Sequence, residues 1–267
     1  MLRILNNYVN FTQKIIQMKQ RVILIALLSL FSLLFTGCGN RKGAVLKKVK
    51  YEKVVGDCQN DICVNINLSY FQMEGETDVA NNFNALMEKM VFGKMALDSD
   101  SGNTSKEKLV ENIIKDYQDF KKEFPDAATG GYEQKTDCEI TYLSDNLISV
   151  KVVTEIYSGG AHSSHLEEFL NVNPETGKRK DIMDFITEKE KFSAYVEGLL
   201  RKKLKMSEKD KWSDFTFMDK FTLPENMGMT SGGLELIYNE YEILPYSEGL
   251  TVLEIDNKKL REFMKLP

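Results

Sequence analysis

The chain has 267 residues, with 35 Lys and Arg against 40 Asp and Glu, and 42% of its residues are hydrophobic. This is a globular composition, which excludes a disordered or collagen-like chain, and the length suits one large domain or two small ones. The formal net charge is −5, and residues 1–37 contain only basic charged side chains, so the remainder is more acidic still. An acidic body argues against nonspecific binding to nucleic acid, and no nucleic-acid partner is expected.

A short apolar run lies near the N-terminus. Residues 22–35 read VILIALLSLFSLLF and follow the basic side chains of Lys19 and Arg21. A spanning helix needs about 20 apolar residues, whereas the core of a signal peptide takes about 7 to 15. We therefore predict a signal peptide over residues 1–37, of which residues 1–17 are an upstream extension. The alternative is an uncleaved N-terminal anchor, and both place the rest of the chain outside the cytoplasm.

The residues that follow, Phe35-Thr36-Gly37-Cys38, resemble the lipobox of bacterial lipoproteins. The resemblance implies that Cys38 carries lipid, such as palmitate, and becomes the mature N-terminus, with residues 38–50 as a lipidated tether. Several acyl chains on one residue give stable membrane attachment. The predicted location is therefore the cell envelope, lipid-anchored through Cys38 and, in a Gram-negative cell, on the periplasm-facing side of the outer membrane.

Three further cysteines would lie in an oxidising compartment, where disulfides persist. Cys58 and Cys63 flank the turn-forming residues Gln59-Asn60-Asp61 between two strand-like runs, which predicts a hairpin closed by a Cys58–Cys63 disulfide. The alternative is a Cys63–Cys138 bridge, and an odd count leaves one thiol free in either case. Without a second close pair, these sulfurs do not have the spacing of a structural zinc site.

The predicted elements run in chain order from a strand over residues 64–70, where apolar and polar residues alternate. A helix follows from Asp78 to about Gly93. A second helix follows the capping box Thr104–Glu107 and ends at Pro125. Further strands are predicted over residues 132–142, 147–157, 169–172, 234–238, 241–244 and 250–255. Further helices are predicted after a second capping box, Thr187–Glu190, and over residues 257–263.

Strands and helices in this order show no regular βαβ alternation, which favours the α+β class. We expect two small antiparallel sheets, each covered by helices and preceded by the lipoprotein signal peptide. The predicted boundary divides an N-terminal α+β module over residues 51–160 from a C-terminal α+β module over residues 161–267.

Both histidines of the chain lie in the loop-like segment YSGGAHSSH, residues 157–165. Gly159 and Gly160 allow positive φ angles, and the small residues leave room for a ligand or a packed partner. Together with nearby carboxylates, His162 and His165 are a candidate metal pair, but their spacing does not specify a site. The favoured interpretation is structural, with His162 bonded to backbone and shaping the loop, so no metal site is predicted.

Catalytic motifs are missing from the sequence. Serines stand next to the histidines, but the segment has no G-x-S-x-G elbow and no identified carboxylate to orient a histidine. HExxH and P-loop patterns are also absent. We therefore predict no catalytic residue and no cofactor.

Residues 238–249, YNEYEILPYSEG, are the other informative segment. Tyr238, Tyr241 and Tyr246 combine an apolar ring with a polar hydroxyl, which suits a binding surface for a glycan or a protein. The same pattern also suits the packing of an antiparallel sheet, and on general grounds that alternative is favoured.

The order of YSGGAH, NPETG, DIM and YNEYEILPYSEG along the chain resembles the extracellular domain of the anti-sigma factor RsiV and the accessory region of the peptidoglycan deacetylase PdaC. The resemblance places an RsiV-like module over about residues 167–255 and a partner module over about residues 51–160. It implies an envelope module that binds other macromolecules, because RsiV-like domains engage lysozyme and the PdaC relative works on cell wall. The sequence shows neither a sigma-binding segment nor a deacetylase domain, so signalling and deacetylation are not implied.

The leading hypothesis is thus a noncatalytic envelope lipoprotein that binds an envelope protein or glycan, such as lysozyme or peptidoglycan. The alternative is a metal-assisted hydrolase that acts on cell-wall glycans through His162 and His165. The first predicts that His162 bonds to backbone, and the second that both imidazoles converge with a carboxylate.

Overall fold

The computed structural model describes residues 45–58, 62–94, 105–125 and 130–267. The described residues belong to one compact unit. The predicted signal peptide and Cys38 lie outside them. In the described part of the chain, no helix has the length and apolarity needed to cross a membrane.

The first sheet contains five strands in the order β1-β2-β3-β4-β5. These are β1 (Leu46–Asp57), β2 (Ile62–Met73), β3 (Tyr132–Leu143), β4 (Ile148–Ser158) and β5 (Ser164–Val172). All neighbours are antiparallel except β2 and β3, which pair in parallel. The expectation of a purely antiparallel sheet is therefore wrong for this pair. The chain between β2 and β3 makes a helical crossover, which returns the next strand in the same direction.

The β1–β2 hairpin is closed by the Cys58–Cys63 disulfide, with 5.0 Å between the two Cα atoms. The alternative Cys63–Cys138 bridge is not formed, and Cys138 is a free, buried thiol. Burial, with a smaller effect from Asp137, raises the pKa of Cys138 to about 12. Cys138 is therefore a protonated, apolar core residue rather than a nucleophile.

Two helices make the crossover, α1 (Asp78–Phe92) and α2 (Lys106–Glu123). Their apolar faces pack with β2 and β4 into the first core, which includes Phe83, Phe92, Ile113, Ile66 and Val150. The N-cap of α2 is Ser105, whose hydroxyl accepts a hydrogen bond from the Lys108 N–H. The N-cap is therefore one residue later than the predicted Thr104, which lies outside the described residues, and Lys108 stands where a capping box needs Glu or Gln.

The second sheet is antiparallel, in the order β6-β7-β8. Its strands are β6 (Asn226–Met229), β7 (Gly233–Tyr238) and β8 (Thr251–Asp256), and it packs with helices α3 (Lys189–Lys203) and α4 (Asn257–Leu260) around the second core. The α+β class with two sheets is confirmed. The strand predicted over residues 241–244 is wrong, because Tyr241 has a φ angle of 63°, which an extended strand cannot contain.

Neither end of α3 follows the pattern that the local sequence would suggest. The Thr187 hydroxyl donates to the Phe263 carbonyl, 2.9 Å away, and Glu188 at the N-cap makes no side-chain capping bond. The predicted Thr187–Glu190 capping box is therefore wrong. At the other end, Lys205 has a φ angle of 57°, and the Met206 N–H donates to the Arg201 carbonyl. This is a Schellman ending with lysine where glycine is usual.

Side chains from β6 and from the loop after β7 cover the outer edge of the first sheet. β5 is the edge strand, and its Phe169 N–H donates to Asn226 Oδ1 at 2.8 Å. The Glu167 N–H donates to Asn239 Oδ1 at 3.0 Å, and the His165 N–H donates to Glu240 Oε2 at 3.2 Å. Backbone groups that would otherwise be open to another strand are satisfied within the molecule. The same contacts fix the loop after β7 against the start of β5.

Candidate binding site

The loop between β4 and β5 begins with two glycines that differ in their constraints. Gly159 has a φ angle of 82°, a conformation that favours glycine. Gly160 is exposed, and a Cβ added there would meet nothing closer than the His162 carbonyl oxygen at 3.9 Å. Gly159 therefore turns the chain, while Gly160 leaves open space beside His162.

His162, Tyr246 and Tyr241 form an aromatic stack on the surface. The His162 and Tyr246 rings lie 3.8 Å apart at 17°, and the Tyr246 and Tyr241 rings lie 5.8 Å apart at 28°. The Ser163 carbonyl accepts hydrogen bonds from Tyr246 Oη at 3.0 Å and from His162 Nδ1 at 3.2 Å. The two segments that the sequence indicated as binding candidates therefore meet and fix each other's rings.

Tyr241 is 58% exposed, more than the half-buried Tyr246 on which it stacks. Its φ angle of 63° is left-handed, which costs a non-glycine residue on the order of 1 to 2 kcal/mol. Glycine or asparagine would hold the same turn with less strain. A bulky ring kept exposed at this cost is a feature of ligand-contacting loops, since neither packing nor backbone preference explains it.

Tyr238 is not part of the aromatic stack. It is only 1% exposed, and its hydroxyl donates to the Thr222 carbonyl at 2.7 Å. Burial, with a smaller effect from the charge of Glu242, raises the pKa of Tyr238 above its ordinary value. Of the three predicted tyrosines, Tyr238 is therefore scaffold, and the sheet-packing alternative applies to it.

The charges around the aromatic stack are acidic. Residues 157–165 and 238–249 contain three glutamates and neither lysine nor arginine. Two of them support the loop: Glu240 accepts from the His165 N–H, and Glu242 Oε2 accepts from the Asn239 N–H at 2.8 Å. Burial, aided by the charge of Glu225, raises the pKa of Glu242 despite that hydrogen bond. These two segments therefore supply acceptors and contain no lysine or arginine of their own.

His165 is engaged separately from His162. Its Nε2 lies 3.2 Å from Glu167 Oε1, and the other oxygen of Glu167 lies 2.7 Å from Lys151 Nζ. Within the described ranges, no group of three His, Cys, Asp or Glu side chains is placed to hold a metal ion. The arrangement required by the hydrolase alternative, two converging imidazoles with a carboxylate, is therefore not the one that these residues adopt.

The sequence interpretation missed two phenylalanines next to this loop. Phe215 and Phe217 are 45% and 60% exposed, and the Phe217 N–H donates to the carbonyl of Ile243 at 2.9 Å. The available signal was the repeat of phenylalanine at every second position in Phe215-Thr216-Phe217-Met218.

Two family models match the chain in adjacent regions. Residues 58–165 match the model described as deacetylase PdaC, and residues 183–258 match the model described as protein of unknown function DUF3298. No curated protein is a significant match. The PdaC-like region indicated by the sequence is thus confirmed, while the resemblance to RsiV stays a prediction.

Solved structures share the fold. A DUF3298-family protein of Bacteroides fragilis aligns with a TM-score of 0.63 at 18% identity, over 85% of this chain and 96% of its own. A DUF3298-family protein of Pseudomonas aeruginosa PAO1 aligns with a TM-score of 0.57 at 17% identity, over 85% of this chain and 97% of its own. The chain therefore joins a PdaC-like region to a DUF3298 region, on the fold that these two DUF3298-family structures have.

Proposed function

We propose that the protein is a noncatalytic envelope lipoprotein, anchored through lipid on Cys38, that binds a cell-wall glycan by its aromatic stack. The observation that carries the proposal is the exposed stack, with Tyr241 held outward in a strained conformation. The apolar C–H faces of a sugar pack on flat aromatic rings, and its hydroxyls donate to nearby acceptors. The glutamates around the stack supply such acceptors.

A basic protein is the second candidate ligand. Tyrosine is enriched at protein interfaces, and the acidic surroundings of the stack would attract a cationic partner by long-range electrostatics. The resemblance to RsiV implies lysozyme as that partner. A glycan is favoured because the stack is small and flat, and because salt would screen attraction to a basic protein but not sugar stacking.

The binding proposal is tested by retention of the body, residues 44–267, on purified peptidoglycan sacculi and on immobilised lysozyme. Replacing Tyr241 with asparagine is expected to lower retention on sacculi about tenfold, because an exposed ring of the stack is lost. Thermal stability should not fall, since asparagine tolerates a left-handed φ angle. Sedimentation with sacculi and a melting curve measure the two effects.

Lys205→Gly is the matched control, because it relieves a similar φ angle of 57° away from the aromatic stack. It should raise stability by up to about 1 kcal/mol and leave retention unchanged. Retention on lysozyme alone, or equal retention of wild type and Tyr241→Asn on sacculi, contradicts glycan binding through the stack.

The anchor is tested separately by metabolic labelling with an alkyne analogue of palmitate. We expect labelled protein in the membrane fraction, and a Cys38→Ser variant without label, because the thiol is the acceptor that the lipobox resemblance implies. Wild-type protein that stays unlabelled and fractionates with cytosol contradicts the anchored location, while leaving the binding measurements unaffected.

A further inference from the structure

Phe215 and Phe217 are exposed although the second core lies directly beneath them. Between and after them, Thr216 and Met218 are each 8% exposed, and Trp212, which precedes them, is 5% exposed. In this segment, Thr216 and Met218 are therefore buried, while the rings of Phe215 and Phe217 point outward. Exposed large aromatic side chains in a group indicate an interaction surface rather than ordinary packing.

The segment that carries these rings is held rigidly. The Thr216 hydroxyl donates to the Trp212 carbonyl at 2.9 Å and accepts from the Met218 N–H at 3.1 Å. The N–H groups of Phe215 and Thr216 both donate to the carbonyl of Trp212. A ring on such a segment loses little conformational entropy when a ligand binds, which is the benefit of preorganisation.

Phe217 is linked to the loop that supplies the aromatic stack. Its N–H donates to the Ile243 carbonyl, and Ile243 stands between Tyr241 and Tyr246 in the sequence. A backbone hydrogen bond keeps the Cα atoms of Phe217 and Ile243 close, and Tyr241 lies only two positions before Ile243. Together these limits place the Cα atoms of Phe217 and Tyr241 within about 13 Å of each other. The two exposed aromatic groups are therefore close to each other along the backbone.

The charge of this surface restricts its occupant. The two aspartates of residues 212–219 are flanked by Lys211 and Lys220, so the charge beside Phe217 is balanced, and this segment adjoins the acidic segment of the aromatic stack. A strongly charged polymer, whether anionic or cationic, therefore finds no matching charge beside Phe217. A neutral chain with repeated apolar faces and hydroxyl donors is the occupant that suits two separated aromatic surfaces.

We propose that Phe217 is a second contact of the glycan-binding surface, so that the site recognises an extended, neutral glycan of several sugars rather than one or two. This inference rests on the proposed glycan binding by the aromatic stack. Phe217 adds contact area only when the chain is long enough to reach it. Affinity should therefore increase with glycan length, and Phe217 should cause the increase.

The probes are β-1,4-linked oligomers of N-acetylglucosamine, one of two sugars and one of six, titrated calorimetrically. We expect the longer oligomer to bind about tenfold more tightly to wild type, as one further aromatic contact provides. In Phe217→Ser that advantage should disappear, while affinity for the shorter oligomer stays unchanged. Phe124→Ser is the matched control, since Phe124 is 49% exposed at the end of α2 and should leave both affinities unaltered.

Each result decides between the two proposals. If Phe217→Ser keeps the length advantage while Tyr241→Asn weakens binding of both oligomers, the second contact is overturned and glycan binding by the stack stands. If wild type binds neither oligomer, the second contact is overturned, and retention on sacculi decides glycan binding by the stack. Melting curves for the serine variants verify that the fold is kept, which the exposure of both phenylalanines predicts.

Discussion

Replacing Gly228 with alanine is expected to lower the free energy of unfolding by about 3 kcal/mol. Gly228 lies in β6 against Phe169 of β5, and an added Cβ would fall well inside 3.0 Å of three atoms of the phenylalanine ring. Phe169 is only 3% exposed, so the ring has no free space to move into. The added methyl group must push β6 away from the first sheet. Chemical denaturation measures the loss.

Gly198→Ala is the matched control for this substitution. Gly198 lies on the exposed side of α3, and an added Cβ would meet no atom within 4 Å. Alanine is the better helix former by about 1 kcal/mol, so this variant should be more stable than wild type. If Gly228→Ala is as stable as Gly198→Ala, the close approach of β6 to Phe169 is not a real feature of the fold.

Lys151→Met is expected to destabilise the protein by about 2 to 3 kcal/mol at neutral pH. Lys151 Nζ lies 2.7 Å from Glu167 Oε2 and 2.5 Å from Glu235 Oε1, and all three side chains are at most 20% exposed. The cluster joins β4 and β5 of the first sheet to β7 of the second. Methionine keeps the apolar stem but removes the cation that Glu167 and Glu235 share.

The stability that Lys151→Met loses should depend on pH. Burial alone would raise the pKa of Glu167, but hydrogen bonds from Lys151 and His165 outweigh it and lower that pKa. In wild type the Glu167 contribution is therefore present above the ordinary pKa of about 4.3 and is lost as pH falls through the lower folded value. Without Lys151, burial is opposed by His165 alone, so the pKa of Glu167 is higher in the variant than in wild type. The stability difference from wild type should narrow on acidification below about pH 4.

Lys135→Met provides the comparison for an exposed ion pair. Lys135 and Glu133 lie 3.2 Å apart, with side chains 57% and 40% exposed, so the substitution should change stability by less than about 0.5 kcal/mol. Adding Glu167→Gln and Glu235→Gln to Lys151→Met should recover part of the loss by removing the unpaired charges. Equal losses for Lys135→Met and Lys151→Met at neutral pH would show that the buried cluster has no special role.

The parts of the fold that local sequence patterns encode were predictable. In β2 the side chains of Val64, Ile66, Leu68 and Tyr70 are all buried, as the period-2 alternation indicates, because the pleat alone decides which side chains share a face. The disulfide hairpin is equally local, since both cysteines flank one turn. The α+β class follows from the order of such elements.

The missed elements depend on contacts between distant residues. The start of β5 reads Ser164 to Glu168 and looks polar, but its edge is satisfied by side chains from residues 226–240. β6 contains Gly228 for its close approach to Phe169 rather than for strand propensity. No pattern within either segment shows these partners.

The candidate site was predictable as two segments but not as one surface. His162 and Tyr246 were both named from composition, yet only tertiary structure brings their rings within 3.8 Å. Tyr238 and Tyr241 looked equivalent in the sequence, and the left-handed backbone at Tyr241 separates a core ring from an exposed one. Phe217 escaped notice because the usual rule assigns phenylalanine to the core.

The side chains that satisfy the β5 edge come from residues 57 to 75 positions further along the chain. During synthesis, β5 therefore emerges long before Asn226, Asn239 and Glu240 exist to bond it. Until then its open backbone is a template for strands of other nascent chains, which is a known route to misassembly. Holding the chain unfolded until it is complete, as a chaperone does, would protect this protein at the stage when it is most exposed to aggregation.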